Sequence, residues 1–213
     1  MIRRHSIRIS RLLLIFPLLL LLTLALAAAG ASAVAAQDLT LALDPAHTTI
    51  RFTLGDVLHT VNGSFKLKSG TIHFNPGTGV ASGLVIVDVT SGDTGSNARD
   101  RKMHKEILES AKYPEATFTP TKVSGPSGLN DHDTFEVSGT FNLHGMDHAV
   151  TLTFPVTLKG AMLTTHTHMA IPYVAWGLKN PSTFILRVND KLDLDIDATG
   201  RLLQTSARTA TAN

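Results

Sequence analysis

Between Leu39 and Gly200, apolar and polar residues alternate with a period of two in many short runs. Gly, Asn, Asp and Pro residues separate these runs at a spacing of roughly 8–12 residues. Successive side chains of a strand point to opposite faces, so each run can bury one face only. The pattern predicts a mainly β, antiparallel sandwich or barrel. The predicted strands are 50–54, a pair 65–67 and 72–74 joined by a turn at 68–71, 116–123, 134–141, 150–158, 163–171, and a hairpin of 184–188 with 192–198.

One segment of this β-rich chain, at 97–112, has the features of a helix. Asn97 is a candidate N-cap, Asp100 lies in the first turn where the helix dipole favours an acid, and Tyr113-Pro114 follows the end. Met103, Ile107 and Leu108 give the helix a narrow apolar stripe. The stretch 90–104, rich in Gly, Asp, Asn and Arg, is therefore interpreted as a strand-to-helix corner.

The first 36 residues have the three-part pattern of a secretory signal peptide. Four Arg residues precede an apolar run from Leu12 to Ala29, and small residues continue to Ala35 and Ala36. This pattern predicts cleavage near Ala35 or Ala36 and a periplasmic or secreted protein. An uncleaved membrane anchor is the alternative, because the run is nearly long enough to span a bilayer. We expect a signal peptide at 1–36, one folded β domain at 38–200, and a disordered tail at 201–213.

Charge and cysteine content narrow the class of protein. The chain has 19 Lys and Arg, 17 Asp and Glu, and no Cys. Without the four Arg residues of the leader, 15 basic and 17 acidic residues remain, a net charge of −2. No basic run is visible, which argues against a nucleic-acid partner. An exported chain without Cys must be stabilised by its core rather than by disulfides.

Two short patterns could carry chemistry on the outside of the sheet. His166 and His168 are two residues apart in a predicted strand, so they point to the same face and could chelate a transition metal. Asp193, Asp195 and Asp197 alternate with Leu and Ile in another predicted strand. The acidic residues could bind a cation, but a solvated outer face that protects a sheet edge is the favoured interpretation.

Several stretches, in their order along the chain, resemble the YceI-like family. The resemblance covers nearly the whole chain after the leader and defines 38–200 as a YceI-like domain. The matching stretches are 43–52 (LDPAHTTIRF), 61–65 (VNGSF), the Arg99-Asp100 pair, 112–114 (KYP) followed by 116–118 (ATF), and 138–145 (SGTFNLHG).

The resemblance implies a single antiparallel, lipocalin-like β-barrel with one short α-helix. It further implies a non-catalytic carrier or sequestering protein, without a cofactor, whose lumen holds a long isoprenoid or another amphiphilic, fatty-chain lipid. The apolar run 84–87 would then line the lumen with one face and lie under the helix with the other. The candidate lining residues are Phe52, Phe65, Val85, Val87, Phe118, Trp176 and Phe184. Arg99 is the candidate contact for an anionic head group.

Alternatives from other classes stay open at this point. One is a metal-binding protein or metal-dependent hydrolase that uses His166 and His168. Another is a structural stress-response protein whose interior is simply a packed core. The sequence leaves the lipid, the delivery partner and the oligomeric state, including a homodimer, undetermined.

Overall fold

A computed structural model describes residues 38–55, 60–126, 129–183 and 187–204. The chain divides into two compact units, 1–35 and 36–213, and all described residues belong to the second. The predicted leader therefore lies outside the described residues. The described part contains nine strands: β1 Leu39–Leu43, β2 Thr49–Gly55, β3 Thr60–Phe74, β4 Ala81–Asp93, β5 Glu115–Ser124, β6 Thr134–Leu143, β7 Met146–Lys159, β8 Met162–Ile171 and β9 Leu192–Gln204.

The strands form one antiparallel sheet that closes into a barrel. The order is β1-β3-β2-β9-β8-β7-β6-β5-β4, and β4 pairs back onto β3. Strands β2 to β9 thus make an eight-membered ring in which every strand has a neighbour on each side. This confirms the predicted lipocalin-like, mainly β architecture. Closure also protects the edges that an open sheet would expose.

β1 and β2 together occupy one position of the ring. β1 pairs with the end of β3 at 71–74 and with β9 at 200–204. β2 pairs with 60–65 of β3 and with 193–197 of β9. A 3-10 turn at Pro45–His47 separates them, and the Asp44 side chain accepts a hydrogen bond from the Ala46 amide at 2.9 Å.

Two predicted hairpins are wrong. The runs 65–67 and 72–74 belong to one continuous strand, β3, whose register against β4 shifts between Leu67 and Ser69. Gly70 serves close packing rather than a turn, because a Cβ there would lie 2.6 Å from the Leu43 side chain. The second hairpin fails because β9 already pairs with β8 on one side and with β1 and β2 on the other. Among the described residues preceding β9, 187–191 form no strand.

The predicted helix is present but shorter and differently capped. Helix α1 spans Asn97–Lys102 and continues into a π-helical turn at Met103–Ile107. Its N-cap is Ser96 rather than Asn97, while Asp100 lies in the first turn as predicted. The helical segment packs toward the interior of the barrel through Met103, with Ile107 and Leu108. The outer face of the run 84–87 is therefore not covered by it, and Leu84 is 43% exposed.

The interior holds two apolar clusters, one toward each end of the barrel. We call them the mouth cluster, which includes the helical segment and the connection 172–178, and the far cluster, which includes Phe74, Phe118, Phe135 and Leu163. β9 continues to Gln204, so the predicted tail begins inside the last strand. None of the helical segments in the described ranges has the length and hydropathy needed to cross a membrane.

Candidate functional site

The barrel encloses an interior cavity of about 490 Å³. This volume is within the usual range of small-molecule sites, roughly 300–1,000 Å³. Inward-facing side chains of all nine strands line it, together with Met103, Ile107 and Leu108 of the helical segment. Among the described lining residues the polar ones are few: Thr48, Thr94, Arg99, Lys102, Thr165 and the Tyr173 hydroxyl. A cavity of this composition suits an apolar ligand.

The structure places most of the predicted lining residues on this cavity. Phe52, Phe65, Val85, Val87 and Phe118 all line it. The first two pack against each other with ring centroids 5.3 Å apart.

The remaining three predicted site residues differ from one another in position. Arg99 lines the cavity and is also exposed, so it stands where the cavity meets the surface, which we call the mouth. Trp176 does not line the cavity, contrary to expectation. It packs instead on Phe141, with ring centroids 5.9 Å apart, and on His148. Phe184 lies outside the described residues.

The corner between β4 and α1 fixes the mouth through Thr94. Arg99 donates from Nε to the Thr94 hydroxyl at 2.8 Å and from Nη2 to the Thr94 carbonyl at 2.9 Å. Asp100 accepts hydrogen bonds from the Thr94 amide at 2.9 Å and from its hydroxyl. The side-chain hydrogen bond from Thr94 is the main reason that the pKa of Asp100 lies below its ordinary value. The corner thus presents Arg99 and Lys102 to the cavity, while Asp100 closes the turn.

A cluster of rings joins three segments beside the mouth. His144, in the two-residue turn between β6 and β7, packs on Tyr113 with ring centroids 4.1 Å apart. Its Nε2 lies 3.3 Å from Glu109 Oε2. His148 stacks on Trp176 with centroids 4.0 Å apart and planes within 5°. These contacts tie the turn after the helical segment, the β6–β7 turn and the connection 172–178 together.

His166 and His168 lie on the outer face of β8, opposite to the face that lines the cavity. His166 Nδ1 is 2.8 Å from Asp197 Oδ1, and Arg51 pairs with the other oxygen of the same carboxylate. His168 lies 3.1 Å from Asp195 through Nδ1 and 3.5 Å from Asp193 through Nε2. These contacts form a ladder of paired polar side chains across β2, β9 and β8, which we call the outer ladder.

Two findings bear on the possible roles that the sequence left open for the two histidines and the three aspartates of this wall. The described residues include no group of three or more His, Asp or Glu placed to hold a metal ion. The solvated outer face predicted for the three acids is confirmed, but edge protection is wrong, since β9 has a strand on each side.

The sequence missed one part of the site. Tyr173 and Leu178, both 5% exposed, line the mouth end of the cavity from an irregular connection. Tyr173 donates a hydrogen bond from its hydroxyl to the Asn189 carbonyl at 2.6 Å. Burial of the side chain raises the pKa of the Tyr173 hydroxyl. The apolar spacing of 171, 173 and 178 fits neither a strand nor a long helix, so periodicity gave no signal there.

Fold and site together define a closed antiparallel barrel with an apolar interior and a cationic mouth. The model of the YceI-like domain matches residues 41–200, and the chain belongs to that family. Protein YceI of Escherichia coli O6:H1 is 31% identical over 120 residues, which are 55% of this chain and 60% of that protein. The matched region therefore spans about three fifths of that curated relative.

Solved structures show the same fold at lower identity. BcnA of Burkholderia cenocepacia aligns with a TM-score of 0.59 and 21% identity, covering 74% of this chain and 98% of BcnA. A polyisoprenoid binding domain from Saccharophagus degradans, implicated in plant cell wall breakdown, aligns with a TM-score of 0.57 and 16% identity. That alignment covers 76% of this chain and 97% of the domain.

Proposed function

We propose that this protein is a non-catalytic carrier that holds a long apolar lipid chain, isoprenoid or fatty, inside the barrel. The observation that carries the proposal is the cavity, whose lining is apolar along the whole height of the barrel. The related domain from Saccharophagus degradans, which is described as polyisoprenoid binding, supports the isoprenoid as the first choice. Export to the periplasm or the medium is part of the proposal, on the basis of the N-terminal leader.

Burial of the chain supplies enough free energy for binding. Each buried methylene-sized group contributes about 0.8 kcal/mol, so a five-carbon isoprene unit contributes about 4 kcal/mol before costs. Immobilisation of a ligand costs from about 4 to 15 kcal/mol. A tail of a few isoprene units is therefore enough to offset that cost.

The mouth favours a lipid with an anionic head group. Arg99 and Lys102 are the cationic residues among those that line the cavity, and both are exposed. The Arg99 guanidinium is held by two hydrogen bonds to Thr94, which orients its remaining N–H groups. A guanidinium and an ammonium side by side suit a phosphate or carboxylate. In the proposed complex the apolar chain fills the barrel and the head stays at the solvent.

Mass spectrometry of a solvent extract tests the proposal directly. We expect protein purified from its native host to release an apolar chain in amounts comparable to the protein. Absence of such a chain, together with failure to bind added polyprenyl phosphate, would contradict it.

A matched pair of variants locates the binding inside the barrel. Val85→Trp places a large ring in the cavity, whereas Leu84→Trp places it on the outside of the same strand. We expect the first change to weaken binding of polyprenyl phosphate by about tenfold or more and the second by less than about twofold. Equal effects would place the ligand outside the cavity.

A further inference from the structure

The long connections at the mouth carry more basic than acidic residues, whereas the other described residues carry more acidic than basic ones. We define the rim as residues 94–113, 172–183 and 187–191, and the wall as all other described residues. The rim has eight basic and four acidic residues: Arg99, Arg101, Lys102, Lys105, Lys112, Lys179, Arg187 and Lys191 against Asp100, Glu106, Glu109 and Asp190. The wall has six basic and twelve acidic residues. The rim is therefore net positive although the chain after its leader is net negative.

The rim borders the opening of the cavity. Arg99 and Lys102 line the cavity from one side, and Pro181 and Val188 line it from the other. The two sides meet where Lys179 Nζ lies 4.0 Å from Glu109 Oε1. The cationic residues thus lie on two neighbouring segments that border an apolar opening.

Two of the four rim acids are already engaged within the protein. Asp100 accepts the hydrogen bonds of Thr94 described above, and Glu109 lies between His144 and Lys179. Arg101, Lys105 and Arg187, in contrast, are exposed. The positive charge of the rim is accordingly directed to solvent.

An exposed apolar residue stands on the same end. Met146, at the start of β7, is 50% exposed, and its sulfur would lie 3.2 Å from a Cβ at Gly177 in the rim connection. Met162, at the start of β8, is 53% exposed at the opposite end of β7. The chain therefore offers two methionines of similar exposure, one beside the rim and one at the far end.

We propose that the rim docks the barrel, mouth first, on the surface of a lipid bilayer rich in anionic head groups. Exposed Lys and Arg residues near such a surface each contribute about 1 kcal/mol of attraction, which is about fivefold in partitioning. Met146 would enter the interface, and docking would align the cavity with the acyl layer. A bilayer is favoured over a nucleic acid because the cationic segments border an apolar opening. Transfer of a chain through the mouth rests on the proposed function, but docking itself does not.

Single-cysteine labelling tests the orientation. The chain has no Cys, so Met146→Cys and Met162→Cys can each carry one environment-sensitive nitrobenzoxadiazole dye. With vesicles of mixed phosphatidylcholine and phosphatidylglycerol, we expect a blue shift at position 146 and none at 162. The N-terminal segment is the same in both proteins, so it cannot produce the difference. A shift at both positions, or at 162 alone, would overturn the proposal.

Charge neutralisation tests the rim itself. The variant Arg101→Gln/Lys105→Gln/Arg187→Gln loses three rim charges, and Lys122→Gln/Lys159→Gln/Arg201→Gln loses three exposed wall charges. We expect the first to lower partitioning onto mixed vesicles by about a hundredfold and the second by less than about twofold. Added salt should weaken wild-type binding.

Three outcomes would reject docking. They are equal losses in the two triple variants, equally strong binding to pure phosphatidylcholine, and binding to duplex DNA as tight as to mixed vesicles. Polyprenyl phosphate binding in detergent, measured on the same variants, tests the carrier function separately and should be unchanged by both triple substitutions.

Discussion

At the far end of the barrel, aromatic rings of the far cluster line the interior, whereas at the mouth two pairs of consecutive strands are joined by long connections. Lys159 and Met162 pair across a two-residue turn at the far end. At the mouth, β4 reaches β5 only through the corner, α1 and the π-helical turn, and β8 reaches β9 through residues 172–191. Both ends contain buried residues, but only at the mouth is an exposed helical segment inserted between two strands of the described chain.

We expect the two ends to differ in role, with the far end mainly stabilising the fold and the mouth mainly admitting a ligand. The far cluster contains several residues below 10% exposure, including Phe135, Val156 and Leu163. The helical segment at the mouth, in contrast, has no buried residue from Asn97 to Ile107 within the described chain. Segments with few buried contacts open locally at low free-energy cost. We therefore expect the mouth to admit a ligand while the far end stays folded.

The largest expected effect is the loss of stability when a buried side chain at the far end is truncated. Phe135 is 5% exposed, and its ring lies against Gly125. Phe135→Ala should lower the free energy of unfolding by about 3 kcal/mol, because it removes a buried ring and the neighbours cannot collapse fully. Leu108→Ala, which truncates a half-buried residue at the mouth, should cost about 1 kcal/mol. Urea denaturation of both variants measures the difference. An equal loss in the two would show that the mouth is as much a part of the core as the far end.

The barrel could be predicted because its strands obey a strict period of two. In β9, Leu194 is 7% exposed and Ile196 partly buried, while Asp193, Asp195 and Asp197 face outward. The five predicted cavity residues that lie within described strands follow from the family resemblance, and the structure places all of them on the cavity. The alternation, however, indicates on which face of the sheet a side chain lies. It does not indicate which strand pairs with which. For that reason the two hairpins within β3 and before β9 were wrong.

The mouth could be predicted only in part, because its residues are placed by tertiary contacts. Arg99 was identified through the corner, whose Gly and Asn residues give a local signal. Trp176 is one of the lining residues expected from the family resemblance. The structure stacks it on His148, a partner 28 positions away that no local pattern indicates. Tyr173 and Leu178 were missed for the same reason.

A second, smaller effect should distinguish the role of Arg99, which we expect to contact the ligand, from that of Asp100, which we expect to stabilise the corner. Arg99→Ala removes a cation that lines the cavity, and we expect affinity for polyprenyl phosphate to fall by about tenfold with the melting temperature nearly unchanged. Asp100→Ala removes the acceptor for the Thr94 amide and hydroxyl, and we expect a lower melting temperature instead.

Titration calorimetry and thermal unfolding of the two variants, with Arg99→Lys as the conservative control, measure both properties. Arg99→Lys should retain part of the affinity because it keeps the charge. If Arg99→Ala lowers the melting temperature and leaves the affinity intact, Arg99 is part of the closure and not of the site.

The smallest expected effect is the contribution of the outer ladder to stability. The outer ladder belongs to the wall and not to the binding site. The hydrogen bond from His166, assisted by the charge of Arg51, holds the pKa of Asp197 below its ordinary value. A carboxylate with a lowered pKa in the folded state stabilises the protein above its unfolded pKa of about 3.9. That stabilisation is lost as the pH falls through the folded value. Because the side chain is 43% exposed, the contribution should be at most about 1 kcal/mol.

Asp197→Asn should therefore be less stable than wild type at pH near 6, and the difference should shrink below about pH 4. Glu136→Gln, which neutralises an exposed wall carboxylate on β6, is the matched control and should follow wild type at every pH. Urea denaturation across this pH range, repeated at high salt, measures the effect, and salt should reduce it. Polyprenyl phosphate affinity should be the same in all three proteins, because the ladder lies outside the barrel. A loss of affinity in Asp197→Asn would mean that the wall and the cavity are coupled, and the separation between them would have to be abandoned.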